Sequence, residues 1–394
     1  MCQISRREWL KLASLMSAAG AAPLLASSAA RAAAEPDAPL RIGYLPLTDA
    51  APLLVAHHNG YFEQAGIQAE KPALLRSWAQ LVEAFLAGQV NAVHLLAPMT
   101  VWARYGSQAP IKVVAWNHVN GSALTVAPGI DKVGDLGGKT VAVPFWYSVH
   151  NVVLQNLLAV HGLTPVLKKT GALAASEVNL IVMPPPDMPP ALAAGQIAGY
   201  CVAEPFNAAA ENLKIGKVLR FTGDVWKNHA CCVVTMHERD LAERPEWSRK
   251  VVHAIVKAQA WTRDHPEDAA RLLSKEGPNR YTPHPLPVLQ RVLAPAAPEQ
   301  ARYLADKAVL HAQWQARRID FQPYPYPSYT ETLVRHMQKT RFEGQTQFLE
   351  RLDPAFVARD LVDDRFVKQG IAALGGMQVF GLPQDFTRQE LIDA

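Results

Sequence analysis

Cysteine is scarce in this chain. It has 4 cysteines among 394 residues, and three of them, Cys201, Cys231 and Cys232, lie beyond the N-terminal region. Three is too few, and an odd number, for a disulfide framework. We interpret them either as small apolar residues buried at strand ends or as one disulfide between Cys201 and a member of the adjacent pair.

Charge is also low and nearly balanced. Charged residues make up 19% of the chain and the formal net charge is +4. The first 34 residues supply +3 of this, which leaves 35 basic and 34 acidic side chains in the rest. Such a balance provides no basic field for a nucleic acid or an anionic membrane, so neither partner is expected. With 49% hydrophobic residues, the chain is predicted to form about two globular domains.

Sequence motifs of catalysis are missing as well. There is no Gly-rich phosphate loop, no His-Glu-x-x-His pair and no nucleophile elbow. Histidines occur at positions 57, 58, 94, 118, 150 and 229, but without close metal-ligand spacing. The sequence therefore predicts a binding protein rather than an enzyme, with no catalytic residues, no cofactor and no metal site.

The N-terminus has the features of an export signal. Arg6 and Arg7 are followed by an apolar residue and a lysine, which resembles the twin-arginine signal, and residues 12–30 carry no charge. The run is dominated by Ala, Ser and Gly and leads to small-residue cleavage sites, so residues 1–34 are predicted to be a cleaved twin-arginine signal peptide. An uncleaved membrane anchor is the alternative. The mature protein is then expected in the periplasm, outside the membrane.

The rest of the chain contains an internal repeat. Residues 84–98 align with 191–205 at a constant offset of 107 without a gap, and each copy reads as a helix end, a Gly-Gln turn and a strand. A strand, turn and helix also occur twice, near residues 41–58 and 139–160. Alternation of this kind predicts two α/β lobes with largely parallel sheets. Chance similarity of Ala-rich helices is the other explanation.

After Trp226 the pattern becomes mostly helical. A strand is predicted at residues 231–236, followed by helices at 246–273, 300–318, 330–338 and 354–373. We therefore predict lobe one from 35–127, lobe two from 128–230, and a return to lobe one over 231–394. The C-terminal helices would complete lobe one.

Five segments resemble the solute-binding subunits of ABC importers, in the group that binds nitrate, bicarbonate, cyanate or aliphatic sulfonates. They are GYLPLTDAAP (43–52), GGKTVAV (137–143), PPPDM (184–188), CVAEPFN (201–207) and TGDVWKNH (222–229). The resemblance implies a two-lobed type II periplasmic binding protein with two crossover strands. It also implies a monomer that delivers a small solute to a membrane permease and its ATPase.

The ligand site is predicted at the carboxyl ends of the strands, where α/β proteins bind ligands. The turn with Thr48 and Asp49 is natural lining, and helix N-termini at such a cleft favour an anion. By the resemblance, Trp78, His150 and Lys227 contact the ligand, with Lys227 supplying positive charge. From the residues alone, Trp78 could equally be core, His150 a capping residue and Lys227 a surface lysine.

Three further residues modify this expectation. Ser122 replaces a glutamine of the nitrate binders and leaves more room, and Trp146 lies in an aromatic stretch where they have a Gly-rich turn. These departures keep an aliphatic sulfonate such as taurine, or an aromatic heterocycle, open beside a nitrate-like anion. Glu204 is included as lining, although its default role is to bridge or cap, with a salt bridge to Lys227 as one option.

Two other functional classes use the same fold. The related pyrimidine synthase of thiamin biosynthesis is the enzyme alternative, but it relies on a cysteine-rich motif for which Cys231 and Cys232 are a poor substitute. A sensory module that binds a solute and reports to a receptor is the third class.

Overall fold

The computed structural model describes residues 38–167 and 171–394. The predicted signal peptide, residues 1–34, lies outside them and stays a prediction. The strands are, in chain order, β1 Ile42–Tyr44, β2 Ala73–Leu74, β3 Ala92–Leu96, β4 Ile111–Trp116, β5 Val119–Asn120, β6 Ser122–Val126, β7 Lys139–Val143, β8 Thr164–Val166, β9 Glu177–Val182, β10 Gly199–Ala203, β11 Lys217–Phe221, β12 Cys232–His237 and β13 Ile319–Asp320.

Helices alternate with these strands in the first half and dominate the second. The α-helices are Ala51–His58, Tyr61–Gln64, Trp78–Leu86, Ala97–Val101, Val149–Val160, Met188–Ala193, Phe206–Asn212, Glu238–Glu243, Pro245–Asp264, Pro266–Leu273, Leu286–Leu293, Ala297–Ala305, Pro327–Met337, Gln347–Glu350, Pro354–Leu361 and Arg365–Ala373. Within the described ranges, no helix has both the length and the apolar character needed to cross a membrane.

The strands form two main sheets, which confirms the two-lobed α/β fold. One sheet has the order β2-β1-β3-β12-β4 and the other the order β11-β6-β10-β7-β9-β8. Pairing is parallel except around β12 and β6, each of which is antiparallel to both of its neighbours. These are the two strands that the chain enters directly after changing sheets. A small third sheet pairs β13 with β5.

The chain crosses between the sheets twice. It leaves the first sheet at Trp116, the end of β4, and enters the second at Ser122, the start of β6. It returns between Phe221 and Cys232. The predicted first boundary, after residue 127, therefore falls beyond the point where the chain changes sheets, because β6 already pairs with β10. The pattern of residues 122–126 fits a strand in either sheet, so its partner could not be read locally.

The internal repeat is a structural repeat. β3 at Ala92–Leu96 and β10 at Gly199–Ala203 are displaced by the same 107 residues as the sequence match. Each is preceded by a helix and a turn whose glycine, Gly88 or Gly195, has a φ near +70°. A left-handed φ is readily adopted by glycine, which explains the shared Gly-Gln turn.

Three of the four predicted C-terminal helices are broken or shortened, and this segment contacts both lobes. The stretch predicted at 246–273 breaks at Pro266, which starts a second helix, the stretch at 300–318 is α-helical only to Ala305, and the stretch at 354–373 is interrupted between Leu361 and Arg365. Helix Pro245–Asp264 packs on Ala51–His58 of lobe one. Tyr303, however, packs edge-on against Phe221 of lobe two. The C-terminal segment is therefore not confined to lobe one.

Candidate functional site

The two crossings bring several strand-end turns to one buried place between the lobes. Thr48–Ala50, a single turn of 3-10 helix, follows β1. His118 belongs to the first crossing, and Cys231 ends the second. From lobe two, Ser122 begins β6 and His150 lies in the first turn of helix Val149–Val160. All of these side chains are buried.

The Asp49 carboxylate is the centre of this cluster. Its Oδ2 lies 3.0 Å from Nε2 of His118 and 3.3 Å from Sγ of Cys232. The Sγ of Cys231 is 3.8 Å from the same oxygen. The side-chain amide of Asn117 donates to the backbone carbonyl of Asp49, which fixes the turn. Carboxylate, imidazole and two thiols therefore converge on one point.

Lobe two closes over the cluster through His150 and Ser122. The Nε2 of His150 lies 2.9 Å from the Ser122 hydroxyl and 3.6 Å from Sγ of Cys231. Helix Val149–Val160 begins here because Ser148 caps it, its hydroxyl accepting a hydrogen bond from the backbone N–H of Asn151. The N-terminal turn of a helix is thus aimed at the site.

Burial and mutual charge shift the protonation of the cluster. Burial raises the pKa of the Asp49 carboxyl to about 6, against the opposing effect of His118. Burial disfavours the His118 imidazolium too, but the Asp49 carboxylate outweighs it and raises the pKa of His118 to about 10. For Cys231, burial is outweighed by hydrogen bonding with Cys232 and by His150, which lower the pKa of its thiol. The closed lobes therefore enclose charged groups.

Trp78 packs against His94 of β3, the strand that pairs with β12. It is buried at the start of helix Trp78–Leu86, which Ser77 caps, and its ring lies 5.4 Å from that of His94. The Nε2 of His94 accepts a hydrogen bond from the backbone N–H of Leu45. Among the described residues, the indole N–H of Trp78 has no hydrogen-bond partner. Each lobe thus contributes one serine-capped helix N-terminus, with Trp78 on one and His150 on the other.

Thr48 and Glu204 join the lobes through the backbone. The N–H and hydroxyl of Thr48 donate to the carbonyl oxygen of Glu204, at 3.1 and 3.2 Å. The Glu204 carboxylate accepts from the Arg318 guanidinium at 2.6 and 2.9 Å and from the backbone N–H of Ala208 at 3.1 Å. The partner of Glu204 is thus Arg318 and not Lys227, and its side chain bridges and caps.

Two predicted contacts have other neighbours in the structure. The indole N–H of Trp146 donates to the Glu343 carboxylate at 3.1 Å. The backbone N–H of Lys227 donates to the carbonyl of Leu391 near the C-terminus. Over residues 38–167 and 171–394, no hydrogen bond or ion pair joins the Lys227 side chain to the cluster. Ligand contact by either residue stays a prediction.

The sequence did not single out His118, Cys231 or Cys232 as site residues. The three cysteines within the described ranges, Cys201, Cys231 and Cys232, are free, so the Cys201 disulfide does not form. Cys201 is buried among apolar residues, as one of the two interpretations predicts. Cys231 and Cys232 are also buried, but they lie in a polar cluster. Their positions along the chain could have indicated them. His118 follows β4 at the first crossing, and Cys231 and Cys232 lie where β12 begins after the second crossing.

Two α/β lobes, two crossing segments and a buried polar cluster between them define the periplasmic binding protein fold. The structure aligns with the periplasmic nitrate-binding protein NrtA from Synechocystis PCC 6803, with a TM-score of 0.70 and 19% identity over 90% of this chain and 93% of that one. It also aligns with the periplasmic aliphatic sulphonate binding protein SsuA from Escherichia coli, with a TM-score of 0.53 and 18% identity over 75% and 89% of the two chains.

Residues 33–275 match the NMT1-like family, and the chain belongs to that family. Among curated relatives, the nitrate/nitrite binding protein NrtA of Nostoc sp. PCC 7120 is 28% identical over 265 residues. The alignment covers 62% of this chain and 58% of that protein, so the chain spans less than two thirds of the relative's length. The resemblance predicted from five sequence segments is confirmed.

Proposed function

We propose that this protein is the periplasmic solute-binding subunit of an ABC importer and encloses a small anion between its lobes. The observation that carries the proposal is the unpartnered indole N–H of the buried Trp78. An indole nitrogen can only donate a hydrogen bond, and a buried donor left unpaired is costly. An anion accepts such a bond.

The surroundings of Trp78 support the same class of ligand. Trp78 and His150 each lie in the first turn of a serine-capped helix, and free backbone N–H groups at helix N-termini favour negative charge. The His118 imidazolium adds positive charge, although Asp49 offsets it. Relatives and structural neighbours described as nitrate- and sulphonate-binding proteins point in the same direction.

The remaining parts of the proposal concern export, location and delivery of the solute. The protein is exported through the twin-arginine signal at residues 1–34, acts in the periplasm as a monomer and delivers its solute to a membrane permease with a cytoplasmic ATPase. It carries out no reaction on the solute. Closure and opening of the two lobes about the crossing segments capture and release it, a switching mode known for such clamps.

A thermal-shift screen followed by calorimetry tests the ligand class. The mature protein is mixed with nitrate, nitrite, cyanate, bicarbonate, taurine, alkanesulfonates and uncharged aromatic heterocycles. A ligand that binds only the folded state raises the melting temperature. We expect an anion to raise the melting temperature, and we expect competing salt to weaken the binding of that anion. A shift produced by an uncharged heterocycle alone would replace the anion with an organic ligand.

The predicted role of Lys227 is tested on the same ligand. If its side chain supplies charge to the anion, Lys227→Met lowers the affinity roughly ten- to a hundredfold. This fold-change corresponds to the loss of a hydrogen bond to a charged group, which contributes about 1.5–3 kcal/mol. Unchanged affinity would assign the charge to His118 and the helix N-termini instead. Iron content and thiamin-precursor formation are assayed in parallel, because either would favour the enzyme alternative.

A further inference from the structure

We propose that four buried side chains at the crossing between the lobes bind a thiophilic divalent transition-metal ion, with Zn²⁺ as the reference ion. The four are Asp49, His118, Cys231 and Cys232. The inference goes beyond the proposed transport of an anion and does not depend on which solute is carried.

The donor distances around Asp49 are near those of a tetrahedral site. Zinc bonds of about 2.0–2.3 Å to oxygen, nitrogen and sulfur place neighbouring ligand atoms roughly 3.3–3.8 Å apart in a regular tetrahedron. Around Oδ2 of Asp49 the corresponding distances are 3.0 Å to Nε2 of His118, 3.3 Å to Sγ of Cys232 and 3.8 Å to Sγ of Cys231. All four donor atoms lie within 4.8 Å of one another. Binding of an ion would require side-chain shifts that bring the wider pairs to tetrahedral distances.

The donor set selects the kind of ion. Two thiolates with one imidazole and one carboxylate suit zinc and similar thiophilic ions, whereas calcium and magnesium require oxygen ligands. All four residues are buried, and burying several acidic groups together is unfavourable unless a cation compensates them. In the described part of the chain, no lysine or arginine forms an ion pair with Asp49, whose charged partner is His118 at 3.0 Å. A bound divalent cation would take the place of the proton on His118 and would compensate the thiolates as well as the carboxylate.

Neighbouring groups support the four ligands as outer-shell residues do at known metal sites. The Ser122 hydroxyl and Nε2 of His150 each lie 3.6 Å from Sγ of Cys231 and can donate to its thiolate. Asn117 holds the Asp49 turn through the backbone carbonyl. The Oδ1 of Asp49 has no partner among the described residues. These features belong to an organised site and not to a chance meeting of polar groups.

The ligands come from three separate segments of the chain. Asp49 follows β1, His118 lies in the first crossing, and the two cysteines end the second crossing and begin β12. A bound ion would therefore tie both crossing segments to lobe one. Since it binds the folded arrangement only, it should raise the melting temperature.

Metal binding is measured on the full mature chain, reduced and freed of metal by chelation. We expect Zn²⁺ to bind at one equivalent by elemental analysis and calorimetry. Co²⁺ should give the thiolate-to-metal charge-transfer band and the strong visible bands of a tetrahedral thiolate site. Cys232→Ser should weaken Zn²⁺ binding by more than about a hundredfold and weaken the charge-transfer band, since even outer-shell changes cost 10- to 100-fold.

Cys201→Ser is the matched control, because Cys201 is a buried free cysteine on β10 outside the four ligands. It should leave the affinity for Zn²⁺ unchanged. Circular dichroism of the metal-free variants checks that they fold. If Cys232→Ser does not fold, the Co²⁺ spectrum of the unaltered protein decides the question.

Three results would overturn the metal site. They are binding well below one equivalent, a Co²⁺ spectrum without thiolate charge transfer, or a Cys231–Cys232 disulfide in reductant-free periplasmic protein that persists when zinc is supplied. The anion screen is repeated on metal-free and zinc-loaded protein. Anion binding without zinc binding refutes only the metal site, and zinc binding without any anion refutes only the proposed solute.

Discussion

The carboxylate Oδ2 of Asp49 lies 3.3 Å from Sγ of Cys232, although 183 positions separate the two residues in the chain. Sheet topology explains the contact. β1, which leads to Asp49, and β12, which Cys232 begins, both pair with β3. β12 is antiparallel to β3, so its first residue lies at the edge where β1 ends. The second crossing therefore delivers the cysteines to the carboxyl-end turn of lobe one.

Trp78→Phe tests the donor that carries the proposed function. The substitution keeps an aromatic ring beside His94 but removes the indole N–H. We expect a loss of about 1.5–3 kcal/mol, or roughly ten- to a hundredfold in affinity for the anion found by the screen, measured by calorimetry. Trp261→Phe, in helix Pro245–Asp264 and stacked on His265, is the matched control. Equal losses in both variants would contradict a hydrogen bond from Trp78.

Glu204→Gln tests the buried link between lobe two and the C-terminal segment. The substitution removes the ionic partner of the buried Arg318 guanidinium at 2.6 Å and leaves it only the Glu211 carboxylate at 3.9 Å. Removing one member of a buried pair costs about 3–5 kcal/mol. We expect a loss of that size in the free energy of unfolding, measured with urea on ligand-free protein. Asp187→Asn breaks the exposed pair with Arg76 and should cost less than about 1 kcal/mol. If Glu204→Gln lost no more stability than Asp187→Asn, the Glu204–Arg318 pair would not stabilise the fold.

Asp360 gives the protein an acid-sensitive contribution to stability. Hydrogen bonds from Arg104 and Tyr105 lower the pKa of its carboxyl in the folded state. A depressed folded pKa stabilises the fold above the unfolded value of about 3.9 and loses that effect as pH falls toward the folded value. The stability difference between the unaltered protein and Asp360→Asn should thus be constant near neutral pH and shrink below about pH 4. A difference that grows on acidification would have the wrong sign.

Export is tested at the paired arginines. Replacing Arg6 and Arg7 by lysines should block twin-arginine transport and leave full-length precursor in the cytoplasm. Fractionation and N-terminal sequencing provide the readout, with a processed N-terminus at Ala33 or Glu35 expected for the unaltered protein. Normal periplasmic amounts of the double variant would refute the signal. Met1 retained in periplasmic protein would indicate an uncleaved anchor.

Local patterns were sufficient for most of the lobes. β7 and helix Val149–Val160 form the strand and helix that the sequence predicts near residues 139–160, and the repeat offset of 107 matches β3 and β10. These elements depend on apolar runs, serine caps and glycine turns within a few residues of each other. The break before Pro266 was missed although residues 262–268 are polar and include a proline, which favours the start of a new helix. The break before Arg365 likewise follows two acidic residues, Asp363 and Asp364.

The site was predicted in part for the same reason. Thr48, Asp49, Ser122 and His150 follow or begin strands and helices, and the rule that ligands collect at strand ends indicates them. The ligand contact predicted for Lys227 came from a matching position in a family, and that for Trp146 came from an aromatic stretch where the family has a Gly-rich turn. Their surroundings in this chain include C-terminal residues such as Glu343 and Leu391, which no local pattern could have connected to them.

The sequence by itself determined the two α/β lobes, the repeat that relates them, the family and the strand-end turns proposed to line the cleft. Periodicity, capping and turn chemistry depend on residues that are close together in the chain, so they can be predicted from the sequence. Only the tertiary structure decided that His118, Cys231 and Cys232 meet Asp49. Their meeting depends on where the chain changes sheets and on the antiparallel insertion of β12 beside β3, which is settled by packing between segments far apart in the chain.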